Sequence, residues 1–389
     1  MSNRALMAGF LCFLCLAAGA AYGETVWQGG STPTTWDGGA SSWTAGIPQA
    51  GSGITAATFS GSTNATLTGT HNFGSQTTAF AATFSTSGPL AVSTSGYIYV
   101  DSFTVTQPYS YSVSAPNTPM LTNGSYVGTV NASVVPGGSM KVQTTGGNLT
   151  TYYNYAVSGG GTFAISAAGK VLSDSVTLSN NSTLAYMSGG WSQSYVNGGT
   201  ISGNGTIDNS AVNANGYRYF WIGYDGSNDH QTTMSPGASA GAAGIINFNG
   251  TQGDATKTGS ADSRLLIRTG DCKMVIDITG TGSTAGVNFD QIHLNNFQVL
   301  AGDIANTDLV INVAAGSAAT NAPIMLSTGT GTGIVDFSGM GFRSVTWNGT
   351  AGTLSYVNGA INATVTPEPA TLAVLAAGGL VCLRRRNRA

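Results

Sequence analysis

The sequence contains only four cysteines among 389 residues, and three of them lie near the termini. Cys12 and Cys15 fall in an N-terminal apolar segment and Cys382 in a C-terminal one, which leaves Cys272 alone in the central part. A single cysteine can form neither an internal disulfide nor the thiolate cluster of a structural zinc site. Packing and backbone hydrogen bonds must therefore stabilise the central part.

Charged residues are also scarce. From Glu24 to Thr366 the chain has fifteen acidic and eight basic residues, which gives a net charge of −7. Binding to nucleic acid requires a basic stripe that displaces counterions from the phosphates, and the sequence has no such stripe. We therefore expect no nucleic-acid partner.

Sequence motifs of common catalytic sites are missing as well. The chain has no HExxH pair, no GxSxG turn, no P-loop and no dinucleotide-binding glycine motif in a strand–turn–helix setting. Glu24 is the one glutamate before the C-terminal segment, although glycoside hydrolysis uses two carboxyl groups. His71 and His293 are isolated in the sequence. These features predict that the protein is not an enzyme.

The sequence has instead a series of short β-branched and aromatic segments. Apolar and polar residues alternate within them, and Gly or Asn-Gly pairs separate them at intervals of about 8–12 residues. No segment shows the apolar stripe of an amphipathic helix. The pattern predicts an all-β fold, and its clearest segments are 96–100, 103–105, 171–178, 264–267, 274–278 and 309–313.

The length favours a parallel β-helix, or solenoid, over a sandwich. A β-sandwich rarely exceeds about 250 residues as one domain, whereas a solenoid grows by stacking similar coils. Asn and Gly tolerate the positive φ of tight corners. We predict a solenoid-like body over residues 24–365, with room for extra strands or an irregular insertion over 60–190. Asn-Gly pairs that suit its corners recur at 123–124, 197–198, 204–205, 249–250, 348–349 and 358–359.

Residues 1–23 have the pattern of a secretory signal peptide. Arg4 precedes a short apolar core, and small residues suit cleavage between Gly23 and Glu24. An uncleaved membrane anchor is the alternative, which the shortness of the apolar run disfavours. The pattern predicts an exported protein.

Residues 366–389 combine three features. Pro367 and Pro369 favour an extended, accessible backbone around Glu368. The apolar segment 372–383 follows, for which we predict a short transmembrane helix. About 12 residues at ~1.5 Å rise fall short of a ~30 Å hydrocarbon core, so this helix would be a weak anchor. Its end would be held on the cytoplasmic side by Arg384, Arg385, Arg386 and Arg388.

This tail resembles the PEP-CTERM sorting signal of bacterial envelopes. The resemblance implies recognition by an exosortase-like membrane protease and cleavage near Pro367, Glu368 and Pro369. It also implies transient anchoring in the inner membrane through residues 372–383. The final location would be the outer surface of the cell or the extracellular matrix.

Several short sequence motifs of the central part resemble the β-helix repeats of autotransporter passenger domains. They include ISGNGTI at 201–207, MSPGASAG at 234–241 and GVNFDQI at 286–292. The tryptophans of residues 25–43 resemble the N-terminal cap of such domains, and GTLSY at 352–356 resembles their closing strand.

This second resemblance covers both ends of the body and residues 200–360, but it is faint over 60–190. True autotransporters end in a translocation domain, whereas this chain carries the sorting tail in that place. We therefore do not expect the protein to export itself.

The most polar short cluster lies at residues 225–230. Asp225 and Asp229 are candidate Ca²⁺ ligands. The aromatic residues of the segment just before them are candidates for stacking on a sugar, and this segment contains Tyr217, Arg218, Tyr219 and Trp221. The spacing differs from that of an EF-hand loop. A solvated loop at a solenoid corner is the alternative.

Two further motifs have structural interpretations. The proline and glycine of Ser235-Pro236-Gly237 suit a type II turn. We expect Asp290 to cap a turn or to bond to a neighbouring coil, with Phe289 and Ile292 packed inward.

Threonine pairs occur at 66/68, 104/106 and 328/330/332. They are similar to the flat threonine arrays of ice-binding solenoids. Such an array needs the pairs in register on successive coils, and the sequence does not show this register regularly.

Together these observations predict an exported cell-envelope or extracellular-matrix protein with a structural or adhesive role. Its weakly charged surface would contact extracellular polysaccharide. Two alternatives remain: a polysaccharide-acting β-helix enzyme, either a lyase or a hydrolase, and a carbohydrate- or ice-binding module.

Overall fold

The computed structural model describes a large part of the chain between residues 24 and 366. The described ranges are 24–27, 43–44, 56–60, 65–69, 72–74, 80–115, 128–144, 149–167, 171–188, 193–210, 219–223, 230–237, 241–251, 263–268, 272–330 and 333–366.

Twenty-eight strands and one short helix make up the described structure. The first strands are β1 (Glu24–Trp27), β2 (Ala56–Phe59), β3 (Ala65–Gly69), β4 (Phe73–Gly74), β5 (Ala81–Phe84), β6 (Leu90–Thr94), β7 (Ile98–Tyr99), β8 (Ser102–Val105) and β9 (Ser110–Ala115). There follow β10 (Gly128–Val134), β11 (Ser139–Thr144), β12 (Leu149–Ser158), β13 (Thr162–Ala167), β14 (Val171–Ser188), β15 (Gln193–Val196), β16 (Thr200–Asp208), β17 (Tyr219–Ile222), β18 (Thr232–Pro236) and β19 (Ile245–Asn249). The last are β20 (Ser263–Ile267), β21 (Cys272–Ile278), β22 (Gln291–Asn295), β23 (Phe297–Gln298), α1 (Ala301–Ala305), β24 (Thr307–Val313), β25 (Ala319–Thr328), β26 (Ser344–Asn348), β27 (Gly352–Val357) and β28 (Ala360–Val365).

The strands stack in three parallel ladders. Ladder 1 joins β1, β2, β5, β8, β10, β12, β14, β16, β18, β21, β24 and β26 in that order. Ladder 2 joins β3, β6, β9, β11, β13, β14, β16, β19, β22 and β25. Ladder 3 joins β14, β15, β17, β20 and β23. Earlier in the chain, β4 and β7 form a separate two-stranded parallel sheet.

Each ladder pairs strands that are well separated in sequence, so the chain advances by one coil each time it returns to ladder 1. The long strand β14 shows how one coil turns its corners. Its first part pairs in ladder 3, its middle in ladder 1 and its end in ladder 2. Asn180 and Asn181 stand at the corner before the last part, with φ of 55° and 58°. Asparagine is one of the few residues that adopt this left-handed backbone readily.

The interior is filled by alternate residues of the strands. In β16 every second residue is buried, including Ile201 and Ile207. Parallel pairing in register places equivalent residues of successive coils above one another. Phe59 therefore stacks on its register partner Phe84 with ring centroids 5.0 Å apart. Across the interior, Phe84 also contacts Tyr111 of ladder 2 at 5.3 Å. Such aromatic pairs contribute about 0.5–1.5 kcal/mol each beyond the area they bury.

Both ends of the described stack have features of a cap. At the start, Trp27 and Trp43 are buried against Phe59, at centroid distances of 6.1 and 5.2 Å. At the end, β28 runs antiparallel to both β25 and β27. Such a turn of direction closes one edge of a parallel sheet, which would otherwise offer unpaired backbone groups to another chain.

The prediction of an all-β fold is confirmed, and the large parallel-rich sheet fits the predicted solenoid-like body. Within residues 60–190, all the strands from β3 to β14 except β4 and β7 belong to the same sheet as the later strands. Glu24, on one side of the predicted signal cleavage, begins β1. The predicted signal segment 1–23, with Gly23, and residues 367–389 lie outside the described residues.

The predicted processing residues Pro367, Glu368 and Pro369, the anchor 372–383 and the four arginines after it are therefore still predictions. In the part of the chain that the structure describes, no helix has the length and apolar character needed to cross a membrane.

Candidate functional site

A long groove lies on the outer face of ladder 2. It has a volume of about 550 Å³ and involves strands from β6 to β16. Its lining consists of small, hydroxyl-bearing and a few larger residues: Pro89, Leu90, Ala91, Ser110, Tyr111, Ser112, Ser139, Lys141, Thr162, Ala164, Ala185, Met187 and Asp208.

The floor of this groove is one row of residues in register. Each comes from a successive coil, in the order Ala91, Ser112, Lys141, Ala164, Ala185 and Asp208. Adjacent strands lie about 4.8 Å apart, so five steps give the row a length of roughly 24 Å. The groove therefore runs along the axis of the stack, across the strands rather than along them.

The two smallest adjacent residues of the floor are alanines. Ala164 and Ala185 follow one another on the floor, and their chain neighbours Ile165 and Tyr186 are buried in the interior. Because side chains of a strand alternate between its two faces, the large side chains of Ile165 and Tyr186 point inward, and the methyl groups of Ala164 and Ala185 face the groove. A row of hydroxyl groups borders the floor, formed by Ser110, Ser139 and Thr162 in register.

Two charged side chains of opposite sign line the groove. Lys141 and Asp208 are three coils apart, which corresponds to roughly 14 Å. Asp208 Oδ1 accepts the N–H of Ser210 at 2.8 Å and the amide of Asn249 at 3.2 Å. Among the described residues Lys141 has no carboxylate within ion-pair distance. The groove therefore offers a cationic point near its middle and an anionic one at its end.

Beyond Asp208 the same row continues as a ladder of polar side chains. Asn249 pairs in register with Asp208, and Asn295 with Asn249. The Asn295 amide donates to Asn249 Oδ1 at 2.8 Å, and the Asn249 amide donates to Asp208. These amides are engaged with each other, which fixes the position of the Asp208 carboxylate.

His293 belongs to the neighbouring row of the same face. Its Nδ1 lies 3.0 Å from Asn247 Oδ1, and its Nε2 lies 2.7 Å from Thr328 Oγ1. A neutral ring satisfies both contacts if Nδ1–H donates to the asparagine and Nε2 accepts the hydroxyl proton. Burial lowers the pKa of His293, which favours this neutral form. His293 therefore has a structural role in joining three coils.

The outer face of ladder 1 carries a different surface. Residues with hydroxyl groups stack in register on five successive coils, in the order Thr58, Thr83, Thr104, Ser133 and Ser158. A shallow depression of about 160 Å³ lies on this face, and Thr104, Ser133 and Ser158 contribute to it. We call this row the hydroxyl row. The lining of the depression contains no charged side chain among the described residues.

Two buried aspartates connect coils at one corner. Asp290 accepts the N–H of Gly244 at 2.8 Å and that of Asp277 at 2.9 Å. Asp277 accepts the N–H of Gly241 at 2.6 Å and the amide of Asn312 at 2.7 Å. Burial raises the pKa of Asp290 to about 8, although the two N–H donors lower it. The prediction that Asp290 bonds to a neighbouring coil is confirmed, and Phe289 and Ile292 are buried as expected.

The structure brings few of the sequence-predicted site residues together. Asp225 and Asp229 lie outside the described residues, so the Ca²⁺ hypothesis is still a prediction. Trp221 is stacked on Tyr195 at a centroid distance of 6.1 Å, and the Arg268 guanidinium lies 5.6 Å from its ring. Tyr219 contacts its edge. Because these neighbours pack against the Trp221 ring, Trp221 is a packed residue rather than an open platform for a sugar.

Sequence reasoning missed Lys141 and Asp208. Each is a single charged residue in a polar segment, and the register across coils alone places them in one groove. Among the described residues no group of three or more His, Cys, Asp or Glu side chains could hold a metal ion.

Comparison of the chain with protein families, with curated proteins and with solved structures finds no match.

Proposed function

We propose that this protein is an exported structural or adhesive component of the bacterial cell envelope or extracellular matrix, which binds extended polysaccharide in the groove of ladder 2. The observation that carries the proposal is the floor row from Ala91 to Asp208, one residue from each of six successive coils. A groove of roughly 24 Å suits a linear chain better than a compact ligand. Hydroxyl groups along its border can exchange hydrogen bonds with sugar hydroxyls.

The location rests on the sorting tail predicted from residues 366–389. An exosortase-like membrane protease would cleave it near Glu368 and release the body from its membrane segment. Deleting residues 367–389 tests this part separately. We expect the truncated protein in the culture medium, and unchanged retention on the cell surface would contradict the sorting role.

A large side chain on the groove floor tests the binding site. We expect Ala164→Trp to abolish polysaccharide binding on a glycan array, because the indole would fill the groove at its floor. Ala156→Trp is the matched control, since Ala156 lies in the same coil but lines the depression on ladder 1. If Ala164→Trp bound as well as the unmodified protein, the groove would not be the site.

If the protein is instead an enzyme, the same groove must contain the catalytic residues. Hydrolysis of a glycosidic bond uses two carboxyl groups that flank it, and Asp208 is the one carboxylate in the described lining. An activity screen on acidic and neutral polysaccharides, with Asp208→Asn in parallel, decides between the two. Cleavage that depends on Asp208 would favour the enzyme.

The hydroxyl row favours a second candidate function, the binding of ordered water or ice. Thr58, Thr83 and Thr104 stack at equivalent positions of successive coils, so their hydroxyls repeat at about 4.8 Å. The test is thermal hysteresis of the purified protein. Thr83→Tyr should remove any hysteresis and Ala164→Trp should not.

A further inference from the structure

The chemistry of the groove restricts the kind of polysaccharide it can hold. Lys141 is the one cationic side chain in the described lining, and it stands on the floor row between Ser112 and Ala164. Both of these neighbours are small, so the ammonium group can be approached from either direction along the groove. This position differs from that of a lysine on an open strand, which contacts only solvent.

Among the described residues, no carboxylate forms an ion pair with the Lys141 ammonium. The nearest carboxylate in the groove is Asp208, roughly 14 Å away along the row. This spacing of the two backbone positions exceeds the Debye length of about 8 Å at physiological ionic strength, so salt screens the attraction between the two side chains. Lys141 can therefore attract an anionic group of a ligand without competition from Asp208.

Asp208 places a negative charge at the end of the groove. Its Oδ1 is engaged by Ser210 and Asn249, and the structure shows no hydrogen bond from a described residue to Oδ2. A carboxylate oxygen in this position accepts hydroxyl groups and repels anions. The bound chain must present hydroxyls there.

We infer that the groove binds a carboxylate-bearing polysaccharide, a polyuronate, laid along the solenoid axis with one of its carboxylates on Lys141 and its neutral hydroxyls at Asp208. This inference rests on the proposed function, because it names the substrate class of the same groove. A charge-assisted contact to Lys141 supplies selectivity for the acid, and the small floor and hydroxyl border hold the sugar rings.

Two probes with the same backbone test the inference: polygalacturonate and its fully methyl-esterified form, which is neutral. Binding to the full chain is measured by isothermal titration calorimetry at two salt concentrations. We expect the acid to bind and the ester to bind at least about tenfold more weakly, as the loss of one charge-assisted contact predicts. We also expect affinity for the acid to fall as salt is raised.

Substitutions assign the effect to Lys141. Lys141→Gln should weaken polygalacturonate binding by about tenfold or more, and Lys141→Arg should largely retain it because the charge is kept. Lys273→Gln is the matched control, since Lys273 lies on the outer face of ladder 1. Circular dichroism confirms that each variant is folded.

The outcomes separate the two proposals. If the ester binds as tightly as the acid, or if Lys141→Gln has no effect while Ala164→Trp abolishes binding, the groove binds polysaccharide but the inference of a polyuronate is wrong. If Ala164→Trp leaves binding of both probes unchanged, the groove is not the site and both proposals fall.

Discussion

The carboxyl group of Asp290 accepts the backbone N–H of Gly244 at 2.8 Å, across a separation of 46 residues in the sequence. Gly244 precedes β19 and Asp290 precedes β22, and these two strands pair in ladder 2. The second carboxyl oxygen accepts the N–H of Asp277, which lies in ladder 1. One side chain therefore ties the corner between two ladders to the coil before it.

The stability of the protein should fall as pH rises because of Asp290. Burial raises its pKa to about 8 in the folded state, against 3.8 for the ordinary group. The folded state keeps a proton that the unfolded state releases, so the stabilisation is full below pH 3.8 and is lost as pH rises toward about 8. The slope of the unfolding free energy is at most about 1.4 kcal/mol per pH unit.

Urea unfolding of the full chain at several pH values between 5 and 8 measures this slope. Asp290→Asn should flatten it, because the amide does not titrate. Asp336→Asn is the control, since Asp336 is exposed and its carboxyl bonds only within its own turn, to Ser338. An equal slope in the unmodified protein and in Asp290→Asn would show that Asp290 is ionised in the folded state.

Two glycines at coil corners should tolerate no side chain. Gly203 and Gly237 have φ of 99° and 98° and exchange two backbone hydrogen bonds of 3.0 and 2.8 Å. A Cβ would lie 1.8 Å from a carbonyl oxygen at either position. We expect Gly203→Ala and Gly237→Ala each to lower the free energy of unfolding by about 3 kcal/mol or more, since strain and overlap add.

The matched control for these glycines is Gly302→Ala. Gly302 lies in α1, and no atom stands within 4 Å of its added Cβ. Alanine is the better helix former by about 1 kcal/mol, so this variant should be neutral or slightly more stable. Thermal unfolding compares the three. Similar melting temperatures in all of them would contradict the close approach at the corners.

The sequence was informative about local features of the fold. Period-two alternation predicted the strands, and corner residues were recognised by their tolerance of positive φ. Gly198, Gly349 and Gly359 of the predicted Asn-Gly corners do have φ between 80° and 97°. Gly205, however, lies within β16 and does not have positive φ, because the bend of that strand is at Gly203.

The groove could not be predicted because it depends on register between coils. Ala56 pairs with Ala81, 25 positions further on, whereas Met234 pairs with Met274, 40 positions further on. Without a fixed repeat length, no sequence rule relates Lys141 to its neighbours on the floor. The hydroxyl row could not be predicted for the same reason, because Thr58 and Thr83 come into line only when the strands are paired.

A buried aspartate of α1 should be more important for stability than an exposed one. Asp303 accepts the N–H groups of Ile267 at 3.1 Å and Leu300 at 2.9 Å, and the Arg264 guanidinium at 3.1 Å. Asp303→Ala would leave these donors without their acceptor in a mostly buried place. We expect a loss of about 2–4 kcal/mol in the free energy of unfolding, measured by urea denaturation.

Asp308 provides the comparison. It pairs with Arg343 and accepts the hydroxyl of Ser344, and these hydrogen bonds lower the pKa of Asp308 to about 2. The Arg343 side chain is 42% exposed, so solvent screens the pair. Asp308→Ala should therefore lower the free energy of unfolding by about 1 kcal/mol or less. Equal losses at Asp303 and Asp308 would mean that burial does not strengthen the first contact.

His293 should make the protein less stable at acidic pH. Burial lowers its pKa in the folded state, so the neutral ring that joins Asn247 and Thr328 is favoured there. An unfolded histidine takes up its proton near pH 6.5, and the folded one does so only at lower pH. The stabilisation is therefore present above pH 6.5 and is lost as pH falls below it, in the opposite direction to the effect of Asp290.

In the Asp290→Asn background, which isolates this effect, His293→Gln should remove the loss of stability between pH 6.5 and 5, as followed by urea unfolding. The exposed His230→Gln should leave it in place. If His293→Gln kept the same acid dependence, folding would not lower the pKa of His293, and its contacts with Asn247 and Thr328 would not favour the neutral ring.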